Sequence, residues 1–261
     1  MTDSSTSAKD SAGPRAFGVD VGGSGIKGGI VDLTTGQLVG ERYKVLTPQP
    51  ATPEAVSKGV AEVVGHFNWE GPVGITLPGV ITDGTMRTAA NIDKGWIGTN
   101  TYDLFSKDLG GRPLSVVNDA DAAGMAEDAH GAGSGVDGVV MLLTFGTGIG
   151  SAILVNGTLV PNTELGHLVV GKKEAEHQAS SRIKDEKGWS YKKWSKKVSR
   201  VLEEYEALFW PTLFIAGGGI SRKADKWIPL LTNDTKVVPA ALQNTAGIVG
   251  AAMAVDQGLR P

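Results

Sequence analysis

The sequence contains no cysteine, which excludes disulfides and thiolate-held metals outright. It also lacks a dominant charge. Its 25 Lys+Arg against 28 Asp+Glu leave a net charge of −3, with no global pull toward nucleic acid or a membrane surface, so any anion site must be built locally. No apolar run approaches the length of a membrane span. Residues 1–14, MTDSSTSAKDSAGP, have no apolar core and read as a disordered tail, not a signal peptide. The expected setting is the reduced cytoplasm, with neither nucleic acid nor membrane as partner. What remains is ordinary globular material, 41% apolar and 20% charged, long enough at 261 residues for one large domain or two modest ones.

Glycine is the residue in excess, at 37. Two stretches concentrate it: FGVDVGGSGIKGG (17–29) and LLTFGTGIGSAIL (142–154). Each joins an apolar strand, a glycine turn and a second apolar strand, and a short third strand follows in both. This long repeat predicts two related α/β lobes, each opening with a hairpin whose turn faces a shared cleft. Between the hairpins, TPEAVSKGVAEVVGHF (52–67) has helical spacing, with Thr52 as N-cap and Pro53 in the first turn. GPVGITLPGV (71–80) reads as a buried strand, and PLSVVNDADAAGMAEDA (113–129) as a strand, a two-residue loop and a helix. Further on, YKKWSKKVSRVLEEYEAL (191–208) is an amphipathic helix, apolar along Trp194, Val198, Val201, Leu202, Tyr205 and Leu208. PTLFIAGGGIS (211–221) reads as a buried strand, and NTAGIVGAAMAVD (244–256) as a closing helix of small residues.

A phosphate chain is best held by several backbone N–H groups, which glycine lets approach. In the first turn Gly22, Gly23, Ser24, Gly25 and Lys27 are candidate phosphate contacts, and Asp20 could hold Mg²⁺ directly or through water. The spacing is neither a Walker A loop nor a dinucleotide fingerprint. In the second turn Thr144, Gly146, Thr147, Gly148 and Gly150 offer hydroxyls and N–H groups with no acid. Gly217, Gly218 and Gly219 form a strand-to-helix turn or the floor for a nucleotide. In VVNDAD, Asn118 and Asp119 fall where a strand gives way to a helix, the usual ligand edge of an α/β sheet. Either Asp119 or Asp121 could cap that helix. An amide beside a carboxylate also suits a sugar hydroxyl, Asn118 orienting it and Asp119 taking its proton. Glu164 and His167, in TELGHL, fit a polyol or a cap plus a satisfied histidine. Asn91 and Trp96, in AANIDKGWIGTN, fit a sugar-binding loop or a buried anchor.

In this order the motifs resemble the ROK family (repressors, open reading frames, kinases) of the sugar kinase, chaperone and actin superfamily. GVDVGGSGIKGG and TFGTGIGSA match its two phosphate motifs, IAGGGIS its adenosine motif, NDADAAG its catalytic aspartate and ELGH its sugar-binding turn. The resemblance implies a two-lobed actin-like (ribonuclease H-like) α/β fold. It divides the chain into a tail (1–15), a small lobe (16–118 plus a C-terminal helix, 245–258) and a large lobe (119–244). ROK kinases usually follow Glu-x-Gly-His with a cysteine-rich zinc cluster; here LVVGKKEAEHQASS follows, so zinc is not expected. The cysteine-free form resembles the branch whose members phosphorylate the 6-hydroxyl of glucose with inorganic polyphosphate, often as well as ATP. It implies Asp119 as base, a homodimer, and glucose held by Pro78, Gly79, Asn91, Asn118, Asp119, Glu164, His167 and Glu176. A long donor chain needs an electropositive track, for which Lys193, Lys196, Lys197 and Arg200, with Lys172, Lys173, Arg222 and Lys223, are the candidates; a solvated helix face is the alternative. The competing readings are a strictly ATP-dependent hexose kinase and a sugar-binding repressor. The repressor would need a helix-turn-helix before the first strand.

Overall fold

A computed structural model of the chain describes residues 13–89 and 92–261. The tail expected over 1–15 therefore lies almost wholly outside the described residues, and Arg15 belongs to the first strand. Arg15–Gly22 (β1) turns at Gly23–Ser24 into Gly25–Asp32 (β2), with Gly22 opposite Gly25. Gln37–Leu38 (β3) and Tyr43–Val45 (β4) both pair with β2. The helix Pro53–His66 (α1) starts as expected, the Ala55 N–H donating to the Thr52 hydroxyl at 3.3 Å. Its Val56, Val60, Val63 and Val64 are fully buried in the first core. Val73–Leu77 (β5) runs parallel to β1 and is buried throughout. A small hairpin, Ile81–Thr82 (β6) and Thr85–Met86 (β7), and the helix Thr101–Leu109 (α2) lead to Leu114–Asn118 (β8), parallel to β5.

The helix Asp119–His130 (α3) leaves β8 directly, so the two-residue loop expected there is absent. Asn118 is both the last residue of the strand and the N-cap. Its Oδ1 accepts from the Ala120 N–H at 2.7 Å and the Asp121 N–H at 3.2 Å. The cap is thus the asparagine and neither aspartate.

Val139–Phe145 (β9) and Ile149–Val155 (β10) make the second hairpin, and Thr158–Val160 (β11) pairs beyond it. A short hairpin follows, Val169–Val170 (β12) with Lys173–Glu174 (β13). Then come the helices Glu176–Ala179 (α4), Ser181–Glu186 (α5) and Tyr191–Phe209 (α6). Leu213–Gly217 (β14) and Val237–Pro239 (β15) complete the sheet in parallel with β9. The sheet orders are β3-β2-β1-β5-β8, with β4 also on β2, and β11-β10-β9-β14-β15. Each has a hairpin at its centre, an antiparallel strand outside it and two parallel strands on the other side. The repeat seen in the sequence is a repeat of topology.

The last helix, Ala246–Asp256 (α7), returns to the first sheet, packing on β1 and β5 and along α3, which lies on β9 and β10. The two helices form the layer between the sheets, and the approach is too close for side chains. A Cβ at Gly74 would fall 1.7 Å from the Ala251 carbonyl oxygen, and one at Gly250 1.7 Å from that of Ala122. In α6 the expected apolar face is buried from Trp194 to Tyr205, but Leu208 is 55% exposed. In the last turn only Phe209 still packs on the core, and the helix ends at the exposed Trp210. Among the described residues, no helix is long and apolar enough to cross a membrane.

Candidate active site

Because α3 begins where β8 ends, Asp119 sits at the carboxyl edge of the first sheet, at the first position of the helix. Its Oδ1 accepts from the Ala120 N–H at 2.8 Å. Water reaches the side chain, but only inside a cleft of ≈ 220 Å³ walled by both sheets. That crowding, with the negative charges of Asp20 and then Glu164, pushes the carboxyl up to about 6, the N–H bond opposing. The water that reaches it moderates the shift.

The same cleft holds Asp20 and Lys27 from the first hairpin, Thr144 from the second, and Gly217, Gly218 and Gly219 where β14 ends. Asp20 and Lys27 face each other across the hairpin register and pair at 3.3 Å. The Thr76 hydroxyl donates to the other Asp20 oxygen at 3.1 Å, from directly across the β1–β5 register. Nothing in the sequence marked Thr76, since its role depends on strand register. Gly218 has φ +79°, and a Cβ there would lie 2.6 Å from the Phe145 carbonyl oxygen. The turn therefore lies against the end of β9, and only glycine suits it. Gly22 and Gly23 line an adjoining cavity of ≈ 260 Å³ with Thr47, Pro78 and Asp93. In the second turn the Gly146 N–H donates to the Gly148 carbonyl at 3.0 Å, and Gly150 packs beside the Thr144 hydroxyl and Ala120. The Arg182 Nε–H, which the sequence reading did not single out, donates to the Thr147 carbonyl at 2.9 Å.

Glu164, His167 and Glu176 gather beside the second turn. The Ile149 N–H donates to Glu176 Oε2 at 3.3 Å, and His167 Nε2 lies 3.8 Å from Glu164 Oε2. Glu164 makes no side-chain cap bond to the turn Leu165–His167, so it is not spent on local structure. Burial raises its carboxyl, as does Glu176, while His167 lowers it. His167 is raised chiefly by its 3.0 Å hydrogen bond to Glu174. One ligand atom each from His167, Glu174 and Glu176 lies within 4.8 Å of the others. Asn118 has little left for a ligand: its Oδ1 caps α3, and its Nδ2 donates to the Gly79 carbonyl at 3.1 Å. It positions Asp119 and the Pro78–Gly79 turn. Asn91 lies outside the described residues. Trp96 is the buried anchor, fully enclosed, with Nε1–H on the Ala51 carbonyl at 2.9 Å.

Asp121 points into the core behind this edge. It is fully buried; its Oδ2 accepts from the Asn162 N–H at 2.7 Å, and its Oδ1 has no partner. Asn162 in turn bonds the backbone of Ile81 through its side chain. Burial is the main force pushing Asp121 up to about 7, with Asp119 and Glu164 adding. The candidate track residues Lys193, Lys196, Lys197 and Arg200 lie along one side of α6. Arg200 packs over Gly171 and Lys193 over the Trp189 ring. None of the four lines the cleft, nor do Lys172, Lys173 or Lys223, whereas Arg222 does.

One glycine hairpin thus carries an acid and a base, its copy carries a hydroxyl, and the Asp119 carboxylate shares their cleft. The ROK family profile matches residues 16–181. This chain belongs to the ROK family. It is 67% identical over 238 residues to the polyphosphate glucokinase of Mycobacterium tuberculosis, covering 91% of this chain and 90% of that one. Among solved structures it resembles the inorganic polyphosphate/ATP-glucomannokinase of Arthrobacter sp. strain KM, at 50% identity and a TM-score of 0.87 over 93% of this chain and 98% of that one. A ROK family glucokinase from Streptomyces griseus, in complex with glucose and AMPPNP, is 26% identical with a TM-score of 0.79, over 94% of this chain and all of that one (100%). The fold is the actin-like α/β architecture of these ROK sugar kinases.

Proposed function

We propose that this ROK protein transfers the terminal phosphoryl group of inorganic polyphosphate, and of ATP, to the 6-hydroxyl of glucose. The observation that carries the reading is the cleft that gathers Asp119, the Asp20–Lys27 pair, Thr144 and the Gly217–Gly219 turn; the similarity to polyphosphate glucokinases supports the choice of donor. Asp119 takes the proton as O6 attacks the terminal phosphorus in line; a P–O–P bond breaks, and its oxygen leaves on the shortened chain or ADP. A carboxyl near pH 6 suits a base working close to neutrality. Lys27 and the two glycine turns neutralise and align the donor. Glu164, His167 and Glu176 hold sugar hydroxyls, while Asn118 fixes the helix start that aims the base.

Asp20 has the hard oxygen donors Mg²⁺ prefers, braced by Thr76 on one oxygen. Bound there directly or through water, Mg²⁺ would neutralise donor phosphates. The two lobes, 16–118 with 245–258 and 119–244, would close over both substrates and exclude water that otherwise hydrolyses the donor; the repeated sheet topology supports this division. A dimeric cytoplasmic enzyme is what the family resemblance favours. The test supplies purified protein and glucose with polyphosphate or ATP separately. Glucose 6-phosphate from ATP alone would make this a strictly ATP-dependent kinase, and none from either donor would refute the reading.

A further inference from the structure

Resting on the polyphosphate reading above, we propose that the donor chain leaves the cleft across the outer strand of the first sheet, along Lys27, Lys44, Arg42 and Arg222. Tyr43 and Val45 of β4 pack with the core beneath α1, Tyr43 stacking on His66 at 3.8 Å. Alternation turns Lys44 to the opposite face, the side on which α7 lies, and Arg42, just before the strand, reaches Asn244 on that same side. Lys44 stands directly across from Lys27 in the β2–β4 register. Lys27 already pairs with Asp20 at 3.3 Å, so the Lys44 ammonium is the uncompensated charge at this position, free to meet an anion. The Lys44 stem lies over bare Gly25, in the space a Cβ would fill 2.1 Å from its Cε, so its amine reaches the first phosphate turn.

The stripe continues across the cleft mouth. Arg42 Nη1 donates to the Asn244 carbonyl at 3.3 Å, and Arg222 Nη2 donates to Asn244 Oδ1 at 3.0 Å. Lys27, Arg222 and Asn244 all line the cleft that holds Asp119. Arg42, Lys44 and Arg222 are exposed, and none has a carboxylate partner among the described residues. Unpaired cations in line with a phosphate turn suit a linear polyanion carrying a charge on every unit. The four α6 cations do not line this cleft.

The experiment measures KM for tripolyphosphate and for long-chain polyphosphate in Arg42→Gln, Lys44→Gln and the double variant. A fourth protein carries Gln at Lys193, Lys196, Lys197 and Arg200. Each exposed ion contact is worth up to about fivefold in affinity. The expected result is a KM for long chains raised up to about fivefold by each single change and up to about twenty-five-fold by both. The rise should be smaller for tripolyphosphate and shrink at high salt. A general structural defect would affect both chain lengths equally. An unchanged long-chain KM in the double variant would overturn the proposal, leaving Arg42 and Lys44 as guards of an edge strand. So would a chain-length-dependent rise in the α6 variant alone. If the double variant is insoluble, the single variants are read in the same way. A wild-type protein that uses ATP but not polyphosphate would instead refute the donor reading itself.

Discussion

Replacing Asp119 by Asn tests the chemistry with little disturbance to the fold. The amide keeps an oxygen to accept from the Ala120 N–H, so the first turn of α3 survives. It removes one negative charge from a site where Asp20 and Glu164 already raise the carboxyl. A carboxyl raised from 3.8 to about 6 is less comfortable ionised in the folded protein than in the unfolded chain. Discounted for the water that reaches it, that discomfort is about 1 kcal/mol or less. The variant should therefore be as stable as wild type at pH 8, or slightly more so. Loss of a positioned general base costs about 10²–10⁴-fold, so turnover should fall about a thousandfold with either donor. Glucose affinity by calorimetry should stay within about threefold, because the proposed sugar contacts Glu164 and Glu176 are untouched. In wild type the working form is the unprotonated one, so kcat/KM should rise with pH through about 6 and level off above. Turnover within about tenfold of wild type, or a wild-type profile flat from about pH 5 to 8, would remove Asp119 from the role of base.

Asp121→Asn should stabilise the protein at pH 8 and lose that advantage toward pH 4. Between the unfolded carboxyl and its folded value of about 7 the native state holds a proton the unfolded chain has released, so wild-type stability falls as pH rises through this window. A gain of about 1–3 kcal/mol at pH 8, read as a higher Tm, is expected; no gain would show that the Asp121 charge is compensated. Glu127→Ala should lower stability by about 3 kcal/mol, or Tm by roughly 6–12 °C. Fully buried Glu127 accepts from the N–H groups of Ala132, Ala241 and Leu242, and thermal denaturation checks the loss. Gly250→Ala improves helix propensity by about 1 kcal/mol but drives a Cβ into the Ala122 carbonyl. Denaturant unfolding should show a net loss of stability, and a gain would mean that α3 and α7 separate easily.

Much of this architecture could be read in advance because its signals are local. Alternation and paired glycine clusters mark the two hairpins, and Thr52-Pro53 fixes the start of α1. Where several residues competed for one role, the sequence was ambiguous. Asn118, Asp119 and Asp121 can all cap a helix, and only the backbone decides that Asn118 does so. Leu208 follows the helical period of its face, yet the period cannot say where the core beneath α6 stops. The partners of Asp20 were half legible: Lys27 is seven residues away on the same hairpin, while Thr76 is a neighbour only through the parallel pairing of β1 with β5. Arg42, Lys44 and Arg182 gave no signal because each matters through what lies across a strand or loop from it.

The two hairpins share a topology but not a chemistry, and the difference assigns their work. The first ends in an acid and a base that pair with each other across the register; the corresponding part of the second offers Thr144 and glycine. A turn without ionisable side chains can hold a phosphate only through dipoles, which act equally on any phosphate chain. The turn with Lys27 supplies full charge at one point. On the proposed reading neither turn can tell a nucleotide from polyphosphate, since both donors would present like phosphates to it. Donor choice must therefore be made farther out, where ATP carries a flat, apolar base and polyphosphate carries more charge. On the proposed reading that boundary falls at the Gly217–Gly219 turn, which lines the cleft, and at the cations joined through Asn244. If both features act in this way, substitutions on one side of the boundary should shift the preference between ATP and polyphosphate without altering the transfer step, which parallel kcat/KM measurements with the two donors would check.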